Sequence, residues 1–331
     1  MPIPECPPLP VPDIDPAAAL LFVINAASGR HDADVTRQVI ETALLAAGRT
    51  GELLFAPPDD LVRVAQRAAR MATERRTAVI AVGGDGTINT VAQAAHAQGC
   101  ALGVMPQGTF NYFARTHAIP TDPAAAAQAL LRGAPVAIQV GLINDRVFLV
   151  NASVGLYPQL LEDREAYKAR FGRSRLVAFG AGLVTLLGRH RQLRLRIELG
   201  ANAREITTPT LFVGNNRLQL EQVGLSQASA LDEGCIAAVM LRPIGALAML
   251  GLIWRGAMGT LGEADTVESF KFQRMRVKPR RAWGRRTVKV AFDGEVSRMS
   301  MPLQFQVSPQ PLYLLKSRAE PAVSDAEQGH T

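Results

Sequence analysis

Between residues 20 and 133 short apolar runs alternate with stretches of helical spacing, and this alternation narrows the fold more than any other feature of the chain. Leu20 to Ile24, Glu52 to Phe55, Ala78 to Val82 and Leu102 to Met105 read as buried strands. Val35, Val39, Leu44 and Leu45 share one helical face, and Leu61, Val64, Ala65 and Ala68 another, with Asp59 or Asp60 placed to cap it. Asp122-Pro123 opens a further helix and Gly133 closes it. Strands that alternate with helices predict an α/β domain with a parallel sheet.

From Val136 onward the pattern changes to short alternating strands. Val136, Ile138 and Val140 followed by Asn144-Asp145 and then Val147 to Val150 predict a hairpin. Further strands are expected at 193–199, 208–213, 236–241, 270–278 and 287–292, with helical segments near 158–190 and 244–261. The expected organisation is a Pro-rich arm at 1–16, the α/β nucleotide-binding domain at 17–135, and an antiparallel, sandwich-like β-rich domain at 136–308. A C-terminal segment at 309–331 follows, with a return to the first domain left open before a disordered tail.

The whole chain agrees with two domains: 331 residues, 48% hydrophobic, can bury two cores. A formal charge of +7 suits an anionic partner without choosing one. Cys6, Cys100 and Cys235 form no CxxC pair, so neither a disulfide framework nor a zinc site is indicated, and a reducing cytoplasm is expected. The N-terminus lacks the pattern of a signal peptide, and the apolar run from Pro243 to Trp254 is shorter than the roughly 18 residues that a spanning helix needs.

Chemistry concentrates at Gly83-Gly84-Asp85-Gly86-Thr87. A glycine-rich turn between a buried strand and a helix lets backbone N–H groups approach a phosphate. An acid inside that turn repels an anion unless a cation intervenes, so Asp85 points to Mg²⁺ or to proton transfer, beside the plainer role of a helix cap. No GxxxxGK[ST] or GxGxxG motif occurs. Gly108-Thr109 also follows a strand, as does Ser28-Gly29, so all three turns gather at the carboxyl edge of one sheet. Near the other end, Asp293 and Glu295 close the Thr287 to Phe292 strand two residues apart, which in an extended chain puts both carboxylates on one side; a plain Asp-Gly hairpin turn is the alternative.

The segment GGDGTINTV resembles the nucleotide-binding signature of the diacylglycerol kinase and sphingosine kinase catalytic-domain superfamily, which NAD kinases share in shorter form. Asn25-Ala26-Ala27-Ser28-Gly29 is similar to that family's first motif, with Ala26 in place of the usual proline, and PQGTFNYFAR at 106–115 to its PxGTxNDFAR segment. Asn151 to Gly155, Leu231 to Gly234 and Asp293-Gly294-Glu295 resemble its later NASVG, LDDG and DGE motifs, in the same order. The resemblance implies an ATP-dependent lipid kinase with its site between the two domains, requiring ATP and Mg²⁺. It implies a phosphate cradle from Asn25, Ser28, Gly29, Gly83, Gly84, Asp85, Gly86, Thr87, Gly108, Thr109 and Asn111. Asp293 becomes the candidate general base with Glu295 as its partner and Asp85 on the ATP and Mg²⁺ side, the roles of Asp85 and Asp293 being open to exchange; Asp85 and Glu295 are the candidate metal ligands. Tyr112 stands where the family often has an aspartate, which removes one carboxylate from the metal network.

The segment Lys271 to Arg286 mixes eight Lys or Arg residues with Trp283, and Arg189, Arg191, Arg194 and Arg196 form a second cluster after an apolar stretch. Both suit an anionic membrane surface, and solvated hairpins or core packing equally. The expected partners are a lipid substrate and the inner face of a membrane, contacted peripherally, with no nucleic acid and with a homodimer allowed. Two other readings stand beside the lipid kinase: a soluble kinase of the NAD kinase type, and a catalytically impaired membrane-binding or regulatory module.

Overall fold

The computed structural model describes residues 10–26, 30–156, 158, 192–222, 224–243, 251, 255, 258, 264–280 and 287–317. The expected helices near 158–190 and 244–261, Ser28, Gly29, Trp283, Arg189 and Arg191 therefore lie outside the described residues, or almost wholly so in the case of the two helices.

The alternating region builds β1 (Leu20–Asn25), α1 (Arg30–Ala46), β2 (Gly51–Ala56), α2 (Leu61–Glu74), β3 (Ala78–Gly83), α3 (Asp85–Gln98), β4 (Ala101–Pro106), α4 (Tyr112–Thr116), α5 (Pro123–Leu131) and β5 (Gly133–Ile138). Strands β3 and β4 are buried along their whole length and β1 along all but its last residue, as central strands covered on both faces must be. On one face Leu21, Val23, Val79, Ala81, Leu102 and Val104 pack against α2 and α3. On the other, Phe22, Ile24, Ile80 and Val82 pack against Ile40 and Leu44 of α1 and Leu130 of α5. Asp122 caps α5 by accepting from the Ala125 N–H at 2.8 Å, as its sequence foretells. Asp60 precedes α2 without capping it, because its carboxylate is turned to Arg63 at 2.5 Å. Arg132, and not Gly133, ends α5; Gly133 already begins β5.

The second region builds β6 (Gly141–Ile143), β7 (Arg146–Phe148), β8 (Asn151–Gly155), β9 (Leu193–Leu199), β10 (Asn202–Thr208), β11 (Thr210–Gly214), α6 (Arg217–Gln222), β12 (Ile236–Leu241), β13 (Val267–Phe272), β14 (Arg274–Pro279), β15 (Thr287–Phe292), β16 (Glu295–Ser300), β17 (Leu303–Val307) and β18 (Leu312–Ser317). Three six-stranded sheets result among the described residues: β2-β1-β3-β4-β18-β5, β10-β9-β14-β17-β6-β7 and β13-β12-β11-β8-β15-β16. Every pairing in the second and third is antiparallel. Their inner faces meet in a core that includes Phe148, Val154, Ile197, Val213, Met275, Val277, Val290 and Phe305, which makes a sandwich.

Two sequence readings are corrected here. Val136 and Ile138 do not form the first arm of the hairpin; they pair with Leu314 and Leu312 of β18, which enters the first sheet parallel to β4 and antiparallel to β5. The hairpin around Asn144-Asp145 is the shorter pair β6 and β7, so the chain leaves the first sheet after residue 138 and not at 135. The stretches 208–213 and 270–278 each also prove to be two strands, broken at Pro209 and Gln273.

Candidate active site

At the carboxyl ends of β3 and β4 two glycine turns cross. A Cβ on Gly108 would lie 3.2 Å from the Gly84 Cα and 2.7 Å from Asn111 Oδ1, so any side chain there would drive the turns apart. The Gln107 N–H donates to the Gly83 carbonyl at 2.8 Å and ties them together. Asn111, in the left-handed region at φ 47°, closes its own turn twice: Oδ1 accepts from the Gly108 N–H at 3.0 Å and Nδ2 donates to the Gly108 carbonyl at 2.8 Å. Thr87 fills the space that a Cβ on Gly83 would take, and its hydroxyl accepts from Asn25 Nδ2 at 3.1 Å. Asn25, Gly83, Gly84, Asp85, Gly86, Thr87, Gly108, Thr109 and Asn111 thus come together at one sheet edge, as the convergence of the turns requires. A cavity of about 590 Å³ opens beside the crossing, lined among others by Thr36, Gln107, Gly108, Thr109, Asn111 and Arg115.

Asp85 is the first residue of α3, and Gly84 before it provides no side-chain cap. Its carboxyl is half-buried, and desolvation raises its pKa above the ordinary aspartate range against the Asn111 backbone N–H, which lowers it. Oδ1 is fully buried and has no hydrogen-bond partner among the described residues. An orphaned carboxylate oxygen at a helix N-terminus between two glycine turns is a place for a cation, a hydroxyl or a proton.

Glu295 reaches this place from the second domain: its Oε1 lies 2.8 Å from where a Cβ on Gly86 would be. That approach requires glycine at 86. Burial of the carboxyl raises the Glu295 pKa, with Arg146 pulling it down, although the residue keeps an exposed side.

Asp293 behaves differently. Asp293 (φ 46°) and Gly294 (φ 88°) form the two-residue turn between β15 and β16, so Phe292 pairs with Glu295. The expectation that Asp293 and Glu295 share one side of an extended strand fails for that reason. The Asp293 carboxylate is buried and saturated: Oδ2 accepts from Asn89 Nδ2 and the Leu149 N–H, both at 2.6 Å, and Oδ1 from the N–H groups of Val150 at 2.8 Å and Asn151 at 3.0 Å. Burial pushes its pKa up to about 6 in spite of these four donors.

Asn89 sits one turn after Asp85 and also donates to the Val147 carbonyl at 3.1 Å. Gln93 donates to the same carbonyl at 2.8 Å, and His96 Nε2 lies 2.9 Å from Ser308 Oγ. Asp85, Asn89, Gln93 and His96 follow each other down one face of α3, and this face joins the two domains. Asn89 is a functional residue that the sequence reading passed over. Its signal is a polar residue four places after Asp85 in a helix whose other buried positions, Thr87 apart, are apolar.

Other buried polar groups cluster nearby. Asn151 and Ser153 point to the same side of β8, away from the sandwich core, and Asn151 Oδ1 and Ser153 Oγ have no partners among the described residues. Asn216 donates to the Tyr112 carbonyl at 3.3 Å, which ties the start of α6 to α4. Tyr112 stacks on Phe110 with ring centroids 6.0 Å apart, and brings no charge to the site.

Fold and site together define a two-domain protein with a parallel sheet whose glycine-lined edge faces a carboxylate from an antiparallel sandwich. Residues 19–143 match the family described as diacylglycerol kinase catalytic domain. A relative from Klebsiella pneumoniae (strain 342), described as a probable lipid kinase YegS-like protein, is 38% identical over 117 residues, which is 34% of this chain and 38% of the relative. A diacylglycerol kinase from Staphylococcus aureus (strain JH9) is 29% identical over 189 residues, 56% of this chain and 59% of that one. The matches thus span from about two-fifths to three-fifths of these relatives' length. A crystal structure of a diacylglycerol kinase from Bacillus anthracis str. Sterne superposes with a TM-score of 0.63 over 90% of this chain and 96% of that one, at 17% identity, so both domains share its fold.

Proposed function

We propose that this protein is an ATP-dependent kinase that phosphorylates a hydroxyl group of a lipid. The observation that carries the reading is the buried, unpartnered Asp85 Oδ1 at the crossing of the two glycine turns, faced by Glu295 across Gly86. ATP supplies the phosphoryl group, and Mg²⁺ when bound neutralises its charge.

Among the described residues no group of three or more His, Cys, Asp or Glu could hold a metal ion. The residues still fit Mg²⁺, which takes one or two carboxylates and completes its shell with phosphate oxygens and water. Glu295 is the carboxylate for it, with Asp85 near by. The uncapped N-terminus of α3 and the turns at Gly83-Gly84 and Gly108-Thr109 hold phosphate oxygens. Asp85 accepts the proton of the attacking hydroxyl, the role for which its raised pKa and free oxygen suit it. Asp293, with its acceptor sites filled, is the keystone that fixes the turn carrying Glu295 against α3. Asn151 and Ser153 offer polar atoms to the acceptor side.

The test is phosphate transfer from ATP to a panel of lipids with free hydroxyls, diacylglycerol and sphingoid bases included, run beside NAD. Transfer to a lipid is the expected result. Transfer to NAD alone, or ATP binding without transfer to any acceptor, overturns it.

A further inference from the structure

The outer face of the β10-β9-β14-β17-β6-β7 sheet has two unlike halves. At the β6 and β7 end Leu142 and Val147 are apolar and pack into the core of the first domain. At the other end the outward side chains among the described residues are polar or charged, apart from the small Ala203. Leu195, Ile197, Met275 and Val277 face the sandwich core, and the residues between them, Arg194, Arg196 and Glu198 on β9 and Arg274, Arg276 and Lys278 on β14, face out. The register sets Arg276 beside Glu198 and Lys278 beside Arg196, and Arg280 continues the row beside Arg194.

Six cations thus meet two acids, Glu198 and Glu205. Lys278 binds Glu198 at 2.8 Å and Arg280 binds Glu205 at 2.6 Å, while Arg194, Arg274 and Arg276 form no ion pair among the described residues. Neighbouring strands lie about 4.8 Å apart and alternate residues about 6.8 Å, closer than the screening distance of about 8 Å at physiological ionic strength, so the unpaired arginines act as one field. The neighbours completing the face, Gln304, Gln306, Ala203 and Thr207, include no aromatic ring on which a base could stack.

We propose that this arginine face of β9, β10 and β14 docks the protein on a membrane surface rich in anionic headgroups. Among the described residues this face is a field of cations without stacking groups, which matches a plane of phosphates, and the lipid acceptor proposed above would be met there. The sequence points to the whole of Lys271 to Arg286; in the structure Lys271 is taken by Glu233, and the unpaired charge comes from β14 together with Arg194 of β9.

The experiment measures binding of the whole protein, without ATP, to vesicles of phosphatidylcholine alone and mixed with phosphatidylglycerol, so its outcome is independent of turnover. Binding is expected to the mixed vesicles only, and to fall with added salt. The triple variant R194E/R274E/R276E should lose at least about tenfold in binding, whereas R194K/R274K/R276K and the control R67E/R70E on α2 keep it. Equal binding to both vesicles, or equal loss in the control, overturns the proposal. So does tighter binding of a single-stranded oligonucleotide through the same three arginines, which would make the face a nucleic-acid surface.

Discussion

Asp85 and Asp293 are both aspartates next to glycine in tight turns, and burial raises the pKa of both, yet they reach opposite states. Asp85 stands at the mouth of a helix with one oxygen that nothing among the described residues satisfies. Asp293 stands in a hairpin turn with four N–H groups converging on it, three of them from consecutive backbone positions. Four donors complete a carboxylate and leave it no capacity for a substrate proton. The difference teaches that a buried acid is a candidate for chemistry only where the protein itself leaves it incomplete. The DGE turn holds the domains together and the GGDGT turn is left open for what binds.

The largest effect that separates the two is on turnover. Asp85→Asn keeps the shape of the turn and removes the base, so kcat should fall by roughly 10² to 10⁴, about 3 to 5 kcal/mol of barrier, with the apparent ATP affinity within a few-fold. Near-normal turnover in a folded variant would return Asp85 to a plain N-terminal residue.

Asp293→Asn reverses the pattern. Its side-chain amide can accept at one oxygen only, and the NH₂ group is turned on backbone N–H groups, so two buried donors lose their partner at a cost of about 2 to 4 kcal/mol. Denaturant unfolding measures this as a lower midpoint. A variant of unchanged stability and collapsed kcat would break the comparison and make Asp293 the base. Asn89→Ala removes a single donor from the same knot and one from Val147, and about 1 to 2 kcal/mol is expected.

How much of this was legible in the sequence follows from how far apart the partners lie. The parallel sheet could be read because each strand and helix is local and periodic, and the glycine turns because they follow strands directly. Asn89 and Asp293 are 204 residues apart, and no local pattern links an asparagine inside a helix to a hairpin turn. A return of the C-terminal segment to the first domain could be left open from the sequence, but not that β18 would separate β4 from β5. Reading DGE as an extended pair failed because Asp-Gly at a strand end takes the left-handed turn first, and the orientation of both carboxylates follows from that turn. Gly86 could not be seen as a seat for Glu295 before the hairpin was placed.

The smallest effect is on the pH profile, and it is the sharpest. A base must be ionised to accept a proton, so kcat/KM rises with pH and levels off above the pKa of the group that acts. Burial raises Asp85 above its ordinary value of about 3.9, so the acid limb should lie above that of an exposed aspartate and fall about tenfold per pH unit below it. Asp293→Asn should leave this limb in place, because a carboxylate that only holds the turn does not titrate in the rate. If instead the wild-type limb lies at about 6 and disappears in Asp293→Asn, the proton goes to Asp293, and its four donors must then open during turnover.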